Sequence, residues 1–85
     1  MEIKIDVPDY DSRFGLSDRW VDDYEIHVTF ENGVVSIVAN QEGLQSLATH
    51  LLALSQNEVR SGYHLHFDQS YGLEEGSVEL VLGKK

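Results

Sequence analysis

The stretch His64-Leu65-His66-Phe67-Asp68 holds the densest grouping of chemistry-bearing side chains in this chain. Alternate residues of a β-strand point to the same side, so His64, His66 and Asp68 would share one face. Two imidazoles and a carboxylate are good ligands for zinc or a related metal. His27 could supply a third nitrogen if its strand lies alongside. The pattern stops short of a hydrolase motif of the H-x-H-x-D-H type, because Gln69 stands where a further His is required. The plainer reading, which this weak spacing favours, puts the three on the wet side of a sheet covered on one face only. A small metal-binding protein or metal-dependent enzyme built on His64, His66 and Asp68 is the alternative.

Other catalytic arrangements have less support. There is no Cys, no G-x-S-x-G elbow and no phosphate-cradling Gly loop. Ser46 and His50 are four residues apart on a predicted helix, on neighbouring turns, and His50 reads as a surface residue. Asp22-Asp23 and Glu74-Glu75 fall in predicted loops with no apolar enclosure to raise a carboxyl pKa for acid–base work, so they read as solvated charge. The chain therefore reads as non-enzymatic, with no cofactor.

Charge is more informative. Fifteen acids face six bases, a formal net charge of −9. That argues against nucleic acid and anionic membranes, both polyanions, and favours a basic partner. Residues 1–31 hold nine of the acids and three of the bases, so they carry −6 of the total. With 85 residues the chain forms one domain, 1–85, burying only roughly 60–65% of its unfolded surface; a large enclosed active site does not fit it. The absence of Cys excludes disulfides and thiolate metal sites and suits a reducing compartment. Met1 to Asp6 has no apolar signal-peptide core, and no apolar run approaches the ~20 residues that span a bilayer. The expected location is the cytoplasm.

The elements that must position these residues follow from periodicity. Ile3, Ile5 and Val7 alternate with polar residues, predicting a short strand ended by Pro8. Asp9 to Asp23 has no clean period and predicts a long acidic loop, with one helical turn near Asp18 to Val21. Tyr24, Ile26, Val28 and Phe30 alternate inward on the next strand. Asn32-Gly33 is a strong hairpin signal, leading to a strand with Val35, Ile37 and Ala39 inward. Asn40 is a good helix N-cap. Leu44, Leu47, Ala48, Leu51 and Leu52 then form one apolar stripe, read as core. Gly43 implies either a close backbone approach or tolerance near the helix start. The helix should end near Gln56-Asn57. Two further strands are predicted: Tyr63 to Asp68, with Tyr63, Leu65 and Phe67 inward, and Ser77 to Leu82, with Val78, Leu80 and Leu82 inward. Gly83-Lys84-Lys85 reads as a tail. The predicted fold class is α+β: a four- to five-stranded, mostly antiparallel sheet with one helix on one face, in the order β-loop-β-β-α-β-β. The other face would be open to solvent.

The run Ala39-Asn40-Gln41-Glu42-Gly43-Leu44, continued by Leu47-Ala48 and His50-Leu51-Leu52, is similar to the N-x-E-G-L…L-A-x-H-L-L signature of a polymorphic-toxin immunity family, immunity protein family 32. The similarity continues through Ser61-Gly62-Tyr63-His64-Leu65-His66-Phe67-Asp68 and Leu73-Glu74-Glu75-Gly76-Ser77-Val78-Glu79-Leu80, roughly residues 24–82 in all. The first 23 residues match no family pattern. The resemblance implies a bacterial α+β protein, made beside a secreted or contact-dependent toxin, that protects its own cell by binding that toxin in the cytoplasm. It brings no catalytic residue and assigns no toxin contact; the quoted positions read as a cap, a helix core and strands.

Many antibacterial toxins act on nucleic acid through basic clefts, and an acidic protein could be steered to such a cleft and block it. The candidate contacts are Asp9, Asp11, Asp18, Trp20, Asp22 and Asp23. The open sheet face with His27, His64 and His66 is the second candidate surface. Trp20, the only Trp, either anchors an interface or folds the loop back onto the core with Phe14 and Leu16. The expected partner is thus a basic cognate protein toxin, met by a monomer or homodimer. A homo-oligomeric module pairing open sheet faces or edges is a further alternative. If His64, His66 and Asp68 are wet-face residues, micromolar zinc is expected to leave the melting temperature and the His NMR resonances unmoved; shifted His64 and His66 resonances would establish the metal reading.

Overall fold

The Asn32-Gly33 pair sets the first hairpin. Both residues adopt positive φ, 52° and 77°, as a two-residue turn between right-twisted strands requires. In the computed structural model, which describes residues 1–85, β1 (Ile26–Glu31) and β2 (Val34–Ala39) run antiparallel from that turn, with Thr29 opposite Ser36 and Val28 opposite Ile37. The helix α1 (Gln41–Leu54) follows at once. The Asn40 side-chain oxygen accepts from the Gly43 N–H at 2.8 Å and the Glu25 N–H at 2.9 Å, and its amide donates to the Asp23 carbonyl at 2.9 Å. One capping side chain thereby ties the helix start to the entry of β1.

A second antiparallel hairpin, β3 (His64–Phe67) and β4 (Leu80–Gly83), sets Leu65 opposite Leu82. Gly62 donates to the Lys84 carbonyl and Lys84 to the Tyr63 carbonyl, both at 2.8 Å. The Lys84 ammonium donates to the Gln56 carbonyl at 2.8 Å, bringing a cation to the negative end of the α1 dipole. Lys84 is thus part of the fold rather than a tail.

The α+β class with one helix holds, but the strands form two two-stranded sheets rather than one sheet of four or five. The predicted strand Ser77 to Leu82 starts late, at Leu80. Ahead of it the chain still bonds β1: Glu74 donates to the Ile26 carbonyl and Val78 to the Val28 carbonyl, both at 2.9 Å. The Val28 N–H, however, is taken by the Ser77 hydroxyl at 3.1 Å, so a side chain replaces a ladder carbonyl. The predicted strand Ile3 to Val7 is absent. A strand needs a free sheet edge, and this segment lies on the helix side, where Ile3 and Ile5 line a shallow groove with Leu44, Gln45 and Ala48. The predicted helical turn at Asp18 to Val21 is also absent.

The helix buries a different stripe from the one its leucines predict. Leu44, Leu51 and Leu52 are exposed, whereas Gly43, Ser46, Thr49, His50, Ala53 and Leu54 are buried. The irregular segment 8–25 lies along that small, polar side and needs hydrogen-bond partners that leucines cannot give. The Gln56 amide donates to the Pro8 carbonyl at 2.9 Å and its oxygen accepts from Tyr10 at 3.2 Å. The Ser46 hydroxyl accepts from Val21 at 2.8 Å, and His50 Nε2 accepts from Arg19 at 3.4 Å. Across the molecule, the Tyr63 hydroxyl accepts from Leu16 at 3.0 Å. His50, expected on the surface, is 2% exposed. Its Nδ1 donates to the Ser46 carbonyl at 2.7 Å.

The core consists of Ile26, Val28, Phe67 and Leu73, with Trp20, Tyr24, Leu47, Leu65, Leu80 and Leu82 packed around it. Trp20 stacks on Tyr24 with centroids 4.6 Å apart, meets the His50 ring at 4.3 Å, and turns its edge to Phe67 at 5.4 Å. Of its two readings, folding back onto the core describes Trp20; Phe14 stays exposed.

Gly43 is where α1 approaches the β1 entry, and a Cβ there would collide with the Glu25 carbonyl oxygen and touch the Ala39 Cβ. Gly→Ala inside a helix normally stabilises by up to about 1 kcal/mol. Here Gly43→Ala is expected to destabilise by about 1–3 kcal/mol, read as a lower urea midpoint; a raised midpoint would show that the backbone approach is not rigid. Trp20→Ala is expected to lose about 3 kcal/mol, measured by far-UV circular dichroism during urea unfolding. An unchanged midpoint would return Trp20 to the role of an interface side chain.

Candidate functional site

The acidic residues take their places from the path of segment 8–25 along α1. Its first residues meet Gln56 at the helix C-terminal end, Arg19 and Val21 meet His50 and Ser46, and Asp23 meets the N-cap Asn40. The segment therefore runs antiparallel to a 14-residue helix, which is about 21 Å long. The six candidate residues are strung out along it rather than gathered. Asp9 and Asp11 lie toward the helix C-terminus, Asp18 faces His50, and Asp22 and Asp23 lie at the helix N-terminus. Trp20 sits between them as the side chain that fastens the segment to the core.

Their electrostatic states differ. Arg13 binds Asp11 at 3.0 Å; its guanidinium, helped by its backbone N–H, holds the Asp11 carboxyl below the usual range. Much of that charge is already balanced. Arg19 is committed to Asp6 at 2.8 Å. An Asp18 oxygen lies 3.8 Å from His50 Nε2, the nitrogen that the Arg19 backbone N–H also reaches. Asp9, Asp22 and Asp23 are exposed and enter no ion pair. Asp23 holds a left-handed φ of 64° in the turn before β1. Burial pushes the Tyr24 phenol above its usual range, with added pushes from Glu74 and Asp18. Those carboxylates therefore share its surroundings, and Glu74 is an acid of this surface that the loop composition alone did not reveal.

The second candidate surface is divided. The His64 and His66 rings adjoin on the exposed side of β3, centroids 4.7 Å apart, and His66 approaches Glu79 at 3.4 Å. Asp68 leaves them. It closes a turn in which it exchanges backbone bonds with Tyr71, both at 2.9 Å, and its side chain accepts from Ser70 at 2.8 Å. No three His, Cys, Asp or Glu residues come together in a metal-holding arrangement. His27 lies on the other hairpin, with its Nε2 near Gly76.

A third surface was missed by the sequence reading. The hairpin face of Ile26, Val28 and Phe30 with Ile37 and Val35 is the one expected inward, yet only its base, Ile26 and Val28, is buried. Phe30, Val35 and Ile37 are exposed, as are Val34 and Val38 on the reverse side. The signal was present in Val34 to Ala39, a strand without a single charge.

Comparison with known proteins adds one finding. A family model described as Immunity protein 32 matches residues 34–85. The matched region starts at β2 and includes α1, β3 and β4, while the acidic segment and β1 precede it. No curated protein and no solved structure gives a significant match. The family match covers more than half of the sequence, from the first residue of β2 to Lys85, and on that basis the chain belongs to the immunity protein 32 family.

Proposed function

We propose that this protein neutralises a cognate bacterial toxin by stoichiometric, non-enzymatic binding in the cytoplasm, with a basic toxin surface docking against the acidic segment. Family membership carries the first half of that reading. The charge distribution supports the second: residues 1–31, which hold −6 of the net −9, lie outside the region shared with the family. The shared part supplies a helix and two-stranded scaffolding; the unshared part supplies the field that would attract and select one partner. Asp9, Asp22 and Asp23 are the contacts with free charge, Asp18 and Asp11 add partly balanced charge, and Trp20 holds the segment in place from beneath.

No helix is long and apolar enough to cross a membrane. Coexpression with the toxin of its own locus is expected to restore growth of a sensitive host; a folded, well-expressed protein that gives no rescue overturns the reading. A variant combining Asp9→Lys, Asp22→Lys and Asp23→Asn, the last keeping a residue that tolerates positive φ, is expected to slow toxin association by about 10- to 1,000-fold at low salt. The difference should shrink as salt rises. Rescue with an unchanged association rate would move the contact surface away from the acidic segment.

A further inference from the structure

The outer edge of β2 is open. No hydrogen bond from any other element reaches Val34 to Val38. The two-residue turn makes Glu31 and Val34 a hydrogen-bonded pair, so along β2 the backbone groups of Val34, Ser36 and Val38 face β1. Those of Val35 and Ile37 face outward. The same alternation explains why Ile26 and Val28 of β1 bond the opposite side, through Glu74 and Val78. Natural sheets guard such an edge with charge, proline, a bulge or a covering segment. β2 has no charged residue and no proline, and Phe30, Val34, Val35, Ile37 and Val38 are between 39% and 71% exposed.

We propose that β2 is a homodimer seam, in which two copies pair their β2 edges antiparallel about a two-fold axis at Ser36. The strand is suited to meeting itself because Val34-Val35-Ser36-Ile37-Val38 has the same character read in either direction. Val35 of one copy exchanges both backbone bonds with Ile37 of the other, and the reverse, which makes four bonds. Val34 faces Val38, and Ser36 faces its own copy. The result is a four-stranded sheet that joins the apolar overhang of Phe30, Val35 and Ile37 to its counterpart.

Charge permits the contact although each copy carries −9. No ionic side chain lies in the seam. The two Glu31 residues sit on the outer strands of the joined sheet, three strand spacings apart across it and four residues apart along it, roughly 20 Å from each other. That exceeds the Debye length of about 8 Å at physiological salt. The exposed apolar side chains lie on both faces of the hairpin, Phe30, Val35 and Ile37 on one and Val34 and Val38 on the other. Edge-to-edge pairing leaves much of this surface on the sheet faces, so the buried area falls below the ~1,200–2,000 Å² of stable complexes, and the dimer is reversible and concentration-dependent.

Sedimentation velocity on the full chain from about 1 µM to 300 µM tests this, in a range that spans a micromolar Kd. The expected result is a shift from monomer to dimer that strengthens at high salt, opposite to the salt response of an acidic surface binding a basic toxin. No toxin is present, so the outcome is independent of growth rescue. Val35→Lys, and Val35→Pro, which removes only an outward N–H, should both keep the far-UV spectrum and remain monomeric. The native chain lacks Cys, so Ser36→Cys places a single thiol on the axis and should oxidise to a linked dimer, whereas Val34→Cys, about 13 Å from its copy, should not. A monomer at every concentration and salt, a dimer indifferent to both Val35 variants, or equal cross-linking by the two Cys variants overturns the seam. An edge that instead pairs with a toxin strand would show as a monomeric chain whose Val35→Lys variant loses toxin affinity.

Discussion

Eighteen residues, Pro8 to Glu25, form no strand or helix, and the backbone groups that they do not pair among themselves, as Asp11 pairs with Gly15, must be satisfied by something else. A buried N–H left without a partner costs about 1–3 kcal/mol. Outside the segment, the partners come from one side of α1, its cap and the residue just beyond it, Ser46, His50, Asn40 and Gln56, and from Tyr63. This is why the helix turns small and polar residues inward and leaves Leu44, Leu51 and Leu52 outside. Trp20 then closes the contact by joining its ring to those of Tyr24, His50 and Phe67. The acidic segment is consequently a seated layer, with its carboxylates facing out from a fixed path.

The same constraint decides what was legible in the sequence. Local signals were dependable for the Asn32-Gly33 turn, the Asn40 cap, the alternation of β3 and the first half of β1, and the α+β class, whereas Phe30 at the end of β1, expected inward, is exposed. Leucine periodicity misled because it assumes that apolar residues choose the buried face. Here a backbone looking for partners chose it, and nothing local to the helix announces a chain segment twenty-five residues upstream. The single sheet failed for a similar reason: the Ser77 hydroxyl occupying the Val28 N–H is a tertiary event. Gly43 was the one clue to close approach, and it was visible without being decisive until Glu25 was placed against it.

For the candidate site, composition located the charge and missed its organisation. The acids of residues 9–23 form an extended line along the helix, in which Arg13 and Arg19 cancel particular members. The histidines of β3 share a face as alternation requires, but Asp68 serves the following turn instead of joining them. The family match falls on the scaffold and stops short of the acidic line. The frame's obligations to the segment are met by a few side-chain bonds to backbone atoms, which accept many sequences.

Those few bonds also fix an order in time. The Tyr10 and Pro8 contacts with Gln56 and the Leu16 contact with Tyr63 join residues 46, 48 and 47 positions apart. Contacts this distant form late. On a ribosome adding ~5–20 residues per second, the amino-terminal segment waits roughly 2–10 seconds for its partners to be made. Residues 8–16 are therefore seated only after Gln56 and Tyr63 have been made, and the acidic line exists as a surface only then.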